Sequence, residues 1–134
     1  MEPLFLSWEE VLAQHAEHLR RYGGTPGIRD EGLLRSALAQ PEAQFGGQWL
    51  HEDLPAMAAA YGYHLAQIHP FVDGNKRAAA GCMLLFLALN GQRVVTPPGS
   101  LATIILDLAA GKAGKDDLAT WLRAHLKPWR PGRV

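Results

Sequence analysis

Residues 69–77, His69-Pro70-Phe71-Val72-Asp73-Gly74-Asn75-Lys76-Arg77, interrupt two helical patterns. Ahead of them, Met57, Ala60, Tyr61, His64, Leu65 and Ile68 recur at the spacing of an inward helical stripe. After them, Lys76 to Leu89 is apolar almost all round, which predicts a helix in the middle of a core. Pro70 stops the incoming helix and Gly74 permits the turn into the next. A histidine, a carboxylate and two adjacent cations are thereby confined to a short loop between two core helices. Gly74-Asn75 opens the second helix, whose first N–H groups lack intrahelical partners and form an anion site.

The remaining elements also read as helices. Ser7 and Glu10 have the capping-box spacing and start a helix to about Arg21, ended by Gly23-Gly24. Asp30 is the expected N-cap of a second helix carrying Leu33, Leu34, Ala37 and Leu38, stopped near Pro41. From Pro41 to about Glu52 the periodicity lapses, and Phe45-Gly46-Gly47 with Trp49 predicts a short hairpin or flap. Asp53 and Pro55 start the third helix. Beyond Asn90-Gly91, Val94-Val95-Thr96 is expected to be extended. Ser100 is expected to cap a fifth helix ending at Gly111, and Asp116 to about Leu126 forms a sixth, followed by a frayed tail from Trp129 to Val134. The expected fold is an all-α compact bundle of about six helices, one domain over residues 1–134, with the irregular flap before the motif-bearing pair.

Composition narrows the function. Thirteen basic and thirteen acidic residues cancel, which disfavours direct DNA binding. The lone Cys82 excludes an internal disulfide framework and fits a reducing cytoplasmic setting. No stretch is long and apolar enough to predict a membrane span, and no secretory signal is visible. Cys82, His15, His51, His64 and His125 lie on amphipathic or apolar stretches and read as packing groups. The tryptophans have no regular spacing with basic residues, so a stacking platform for single strands is not indicated.

The loop itself points to phosphate chemistry. His69 is the candidate general base, because an imidazole titrates near neutrality. Asp73 is the candidate Mg²⁺ ligand, since that ion takes one or two carboxylates with phosphate oxygens and water. Lys76 and Arg77 point about 100° apart on a helix and can reach different phosphate oxygens. Phe71 is expected to plug the loop into the core. The bland alternatives are a helix-capping histidine, an Asp-Gly turn and solvated cations. No Walker-type loop is present.

His69 to Arg77 resembles the signature of the Fic/Doc superfamily in its Doc (death-on-curing) form. Gly23 to Asp30 and Gly32-Leu33-Leu34 with Ser36-Ala37-Leu38 are also similar to that form. The resemblance implies a toxin of a toxin–antitoxin pair. Such a toxin is a Mg²⁺-dependent kinase that moves the γ-phosphate of ATP to a hydroxyl of elongation factor Tu and arrests translation. Carried over by position, His69 activates the hydroxyl, Asp73 binds Mg²⁺, and Gly74, Asn75, Lys76 and Arg77 hold the nucleotide. Gln44 to Trp49 falls where that family places a flap that aligns the target.

AMP-transferring Fic proteins have glycine at the position of Lys76 and arginine at that of Ala80. The resemblance therefore favours phosphoryl over adenylyl transfer, with nucleotidyl transfer and a catalytically silent antitoxin-binding role as the alternatives. The inhibitory motif of self-restrained Fic proteins is not visible, since Glu31-Gly32 has Gly27 where Ser or Thr is required. A separate antitoxin with a helical inhibitory segment is the expected restraint, and it would carry the DNA-binding function.

Overall fold

The computed structural model describes residues 2–130. Six helices carry the chain: α1 (Trp8–Tyr22), α2 (Glu31–Ala39), α3 (Leu54–Ile68), α4 (Asn75–Leu89), α5 (Ser100–Ala109) and α6 (Lys115–His125). The bundle is the one expected, and its first three starts follow from their caps. Ser7 accepts from the Glu10 N–H while Glu10 accepts from the Ser7 N–H, closing the capping box. Asp30 and Asp53 cap α2 and α3 through the N–H groups of Leu33 and Ala56.

α3 is the most enclosed element, touching α2, α4, α5 and α6. Its alanines allow this: Ala58, Ala59, Ala60 and Ala66 are fully buried and keep the neighbouring helices close. α4 buries Cys82, Met83, Phe86 and Leu87 against it, but Leu84 and Leu89 reach solvent. The expectation that α4 is enclosed all round is therefore corrected: a groove against α1 leaves one of its faces open.

The flap is a two-residue hairpin, β1 (Gln44–Phe45) antiparallel to β2 (Gln48–Trp49) across Gly46-Gly47. Trp49 packs on Phe5 at 5.3 Å between ring centroids, and Phe5 stacks on Phe86 at 5.8 Å. Phe86 lies eleven residues along α4 from Asn75, about 16 Å at 1.5 Å per residue.

Four further expectations are corrected. Gly99, not Ser100, occupies the N-cap position of α5, and Ser100 is its first helical residue. α6 starts at Lys115, because Asp117 accepts from the Gly114 N–H one residue ahead of the expected start. The extended segment is β3 (Gln92–Val94), earlier than expected, and it pairs with β4 (Leu126–Pro128). The Trp129 N–H donates to the Gly91 carbonyl at 2.8 Å, so the tail begins paired rather than frayed. Residues 131–134 lie outside the described residues. Among those described, no helix is long and apolar enough to cross a membrane.

Candidate functional site

α3 ends at Ile68, and His69 takes a left-handed backbone, φ 48° and ψ 60°. A non-glycine residue there carries about 1–3 kcal/mol of strain and needs to be held. Arg29 holds it. Its Nε donates to the His69 carbonyl at 2.7 Å and its terminal nitrogen to the Ile68 carbonyl at 2.8 Å. One guanidinium thus caps the end of α3 and complements the negative end of that helix's dipole. The backbone around Arg29 runs antiparallel to the loop: Arg29 N–H donates to the Pro70 carbonyl, and Val72 N–H to that of Gly27.

Phe71 is the plug that its apolar ring predicts, about 1% exposed. The buried His15 ring stacks on it at 3.8 Å and 9° between planes. His15 Nε2 also lies 2.8 Å from the Asp73 carbonyl, which fixes the Nε2–H tautomer because a carbonyl can only accept. Asn75 closes the loop from the other side, its Oδ1 accepting from Phe71 N–H at 2.9 Å and its Nδ2 donating to Phe71 O at 3.0 Å. The loop is therefore held at the Phe71 ring by His15, at the Phe71 backbone by Asn75 and at His69 by Arg29.

Asp73 is exposed, with Thr25 N–H donating to one carboxylate oxygen at 3.1 Å and Gly74 N–H to the other at 2.8 Å. These two bonds, Thr25 first, hold its carboxyl below the usual carboxylate range, so it is ionised at neutral pH. Gly24 makes room for it: a Cβ there would stand 3.0 Å from the Asp73 oxygen, at a φ of 125°. Gly74 turns into α4 at φ 74°, a left-handed position suited to glycine. The first intrahelical bond is Ala78 N–H to the Gly74 carbonyl, leaving the N–H groups of residues 75–77 ahead of the ladder.

His69, Asp73, Gly74, Asn75, Lys76 and Arg77 all line one cleft of about 590 Å³. The structure thus brings every expected site residue together. The Asn75 side chain is engaged with Phe71, so its expected contribution to an anion falls to its backbone N–H. The opposite wall was not foreseen: Leu101, Ala102, Ile105 and Leu106 of α5 give the cleft an apolar side. Ala80 lies on the α4 wall, where its small side chain leaves space. The hairpin residues do not line this cleft.

Arg29, Thr25 and His15 are the other contributors that the motif alone did not reveal. A cation beside the Asp30 cap was the available signal for Arg29.

Arg77 and Ala80 also face a groove between α1 and α4, lined with Gln14, His18, Tyr22 and Leu84. There the Arg77 guanidinium sits 4.6 Å from the Tyr22 ring centroid.

Asp73 suits a magnesium ion. It is ionised, reachable and beside an anion site, and no group of three or more His, Cys, Asp or Glu side chains among the described residues could cage a metal alone. A magnesium ion held there would draw its other ligands from phosphate oxygens and water.

The Fic/DOC family matches the chain over residues 5–87, which includes the whole loop and all but the last two residues of α4. The chain belongs to the Fic/DOC family. Within that family, it is 35% identical over 118 residues to "Protein kinase doc" of Escherichia phage P1, covering 88% of this chain and 92% of that protein. It is 43% identical over 87 residues to "Toxin Doc" of Mycolicibacterium smegmatis, 65% of each chain. Both relatives are Doc proteins, so the chain is a Doc-type member of the family.

Proposed function

We propose that this chain is a Doc-type toxin that transfers the γ-phosphate of ATP to a serine or threonine hydroxyl of a translation protein. Elongation factor Tu is the first candidate, on the family resemblance alone. A cognate antitoxin restrains the toxin in the cytoplasm. The observation that carries the catalytic reading is the convergence of His69, Asp73, Lys76, Arg77 and the start of α4 on one cleft. The relatives named as a kinase and as a toxin support the same direction.

In this reading, the N–H groups of residues 75–77 and the Lys76 and Arg77 cations bind the phosphates and turn the γ-phosphorus toward His69. A ring nitrogen of His69 takes the acceptor hydroxyl proton as the hydroxyl oxygen attacks. The oxygen–phosphorus bond to the acceptor forms while the bond from the γ-phosphorus to the bridging oxygen breaks, and ADP leaves. Asp73 would hold a magnesium ion, which supplies charge neutralisation on the phosphate oxygens. Geometry selects the phosphorus that reacts, since the hydroxyl attacks whichever one lies in line. Lys76, which places a cation at the phosphate site, and Ala80, which provides no second arginine, favour γ-transfer.

The test is incubation with Mg²⁺, elongation factor Tu and ATP labelled at the α or the γ position. Label from γ alone is expected. Label from α alone replaces the kinase with a nucleotidyl transferase, and no label from either points to an antitoxin-binding role or to a different protein target.

A further inference from the structure

The cleft over the start of α4 divides by chemistry. Its polar side chains are His69, Asp73, Asn75, Lys76 and Arg77, all from the loop and the first turn of α4. Apart from Gly74, the rest of its lining is Val72, Ala80, Leu101, Ala102, Ile105 and Leu106, none with a hydrogen-bonding side chain. Resting on the phosphotransfer reading, we propose that the donor class of this site is the nucleoside triphosphates as a whole. The triphosphate is recognised, and the base lies on the aliphatic α5 wall without being read.

Each polar side chain already has a task. The Asn75 amide is engaged with the Phe71 N–H and carbonyl. Both Asp73 oxygens accept backbone N–H groups, and in the phosphotransfer reading this carboxylate faces magnesium. Lys76 and Arg77 take phosphate oxygens, and His69 takes the acceptor proton. α5 brings no replacement. Of its polar side chains, Thr103 donates back to the Gly99 carbonyl at 3.0 Å, and Ser100 and Asp107 do not line this cleft. The N–H groups of the first α5 turn, ahead of the Thr103 to Gly99 backbone bond, are donors alone. Every base presents acceptors, so such donors do not tell one base from another.

Magnitudes separate the two kinds of recognition. A site built to hydrogen-bond a polar group rejects an analogue lacking it by about 10⁴–10⁵-fold, whereas an apolar pocket discriminates a methylene by about 10–200-fold. Only the second kind of contact is present on the α5 side. Every base has a face that packs on Leu101 and Leu106, and a purine covers more of that wall than a pyrimidine. Preference is therefore graded by size, with purines ahead, and not set by the identity of the base. Charge recognition stays with α4, where the N-terminal N–H groups and two cations meet the phosphates.

The experiment titrates the full chain and Mg²⁺ by calorimetry with the β,γ-imido analogues of ATP, GTP, CTP and UTP, and with inorganic tripolyphosphate. Transfer from the four γ-labelled triphosphates to elongation factor Tu is measured in parallel. Affinities and kcat/KM are expected to lie within about thirtyfold across the four bases, and tripolyphosphate is expected to displace every analogue. Leu106→Ala, at a half-exposed position, is expected to weaken all four analogues by a common factor of about two to five and to leave tripolyphosphate unchanged. A wider spread, failure of tripolyphosphate to compete, or a variant that weakens one base alone or none overturns the proposal. Binding of no triphosphate overturns the phosphate site itself. Uniform binding with no transfer from any of the four keeps the nucleotide class and counts against the kinase alone.

Discussion

Asn75 grips both backbone groups of Phe71, 2.9 Å from its N–H and 3.0 Å from its carbonyl. The first residue of α4 thus locks the loop that the helix must serve. Asn75→Ala removes two half-buried hydrogen bonds and is expected to cost about 1–3 kcal/mol, read by urea denaturation. Nucleotide affinity should fall with it, because the freed loop no longer holds the start of α4 in place. A variant of parental stability would show that the grip is incidental.

Arg29 is exposed, yet it satisfies the last two carbonyls before Pro70. Arg29→Ala is expected to lower stability by about 1 kcal/mol and to reduce transfer at saturating ATP more than it changes ATP binding. Arg29→Lys should not restore the rate, because a point charge cannot fork to both carbonyls. Rescue by lysine would reduce Arg29 to a simple charge.

His69→Gly separates chemistry from strain. Glycine accepts φ 48° without a Cβ, so the variant should keep its stability or gain up to about 1 kcal/mol. Transfer should fall by about 10²–10⁴-fold with the loss of the base. Calorimetry and the labelled-ATP assay on one preparation check both halves; retained transfer would remove His69 from that role.

Asp73→Asn keeps the size of the side chain and deletes its charge. Nucleotide affinity measured with and without Mg²⁺ should differ strongly in the parent and little in the variant. An unchanged magnesium dependence would place the ion elsewhere.

Acid should weaken the fold through His64. Burial first, then Lys115 and His51, depress its folded pKa to about 4, while an unfolded histidine titrates near 6.5. The unfolded chain therefore binds more protons between those values. The contribution of His64 to stability is complete above about pH 6.5 and is lost as pH falls toward 4. Allowing for its partial exposure, the loss is about 1–2 kcal/mol, and His51, lowered mainly by burial, adds in the same direction. Urea midpoints from pH 7.5 to 4.5 should track it, and His64→Leu should flatten the curve. An equally steep loss in the variant would assign the acid sensitivity to other groups.

Helices were readable because their signals are local. The Ser7–Glu10 box, the Asp30 and Asp53 caps and the apolar stripe of α3 each act within a few residues. The β3–β4 pairing was hidden because Leu126–Pro128 carries no strand pattern of its own; its partner lies more than thirty residues away. The candidate site was legible as a loop, since His69, Asp73, Lys76 and Arg77 fall within nine consecutive residues. Its supports were not. Arg29 reaches His69 from forty residues upstream, His15 reaches Asp73 from fifty-eight, and the α5 wall arrives through packing alone.

The Arg77 guanidinium rests on the Tyr22 ring, on the α1 side of α4, while its own helix start opens on the other side. One cation is thus shared between two surfaces of the same helix. If Arg77 binds phosphate in the cleft as proposed, its hold on Tyr22 opposes that binding, and phosphate opposes the contact by the same factor. Tyr22→Leu, which takes the ring away, should tighten ATP in a calorimetric titration, and unchanged affinity would mean the two faces are independent.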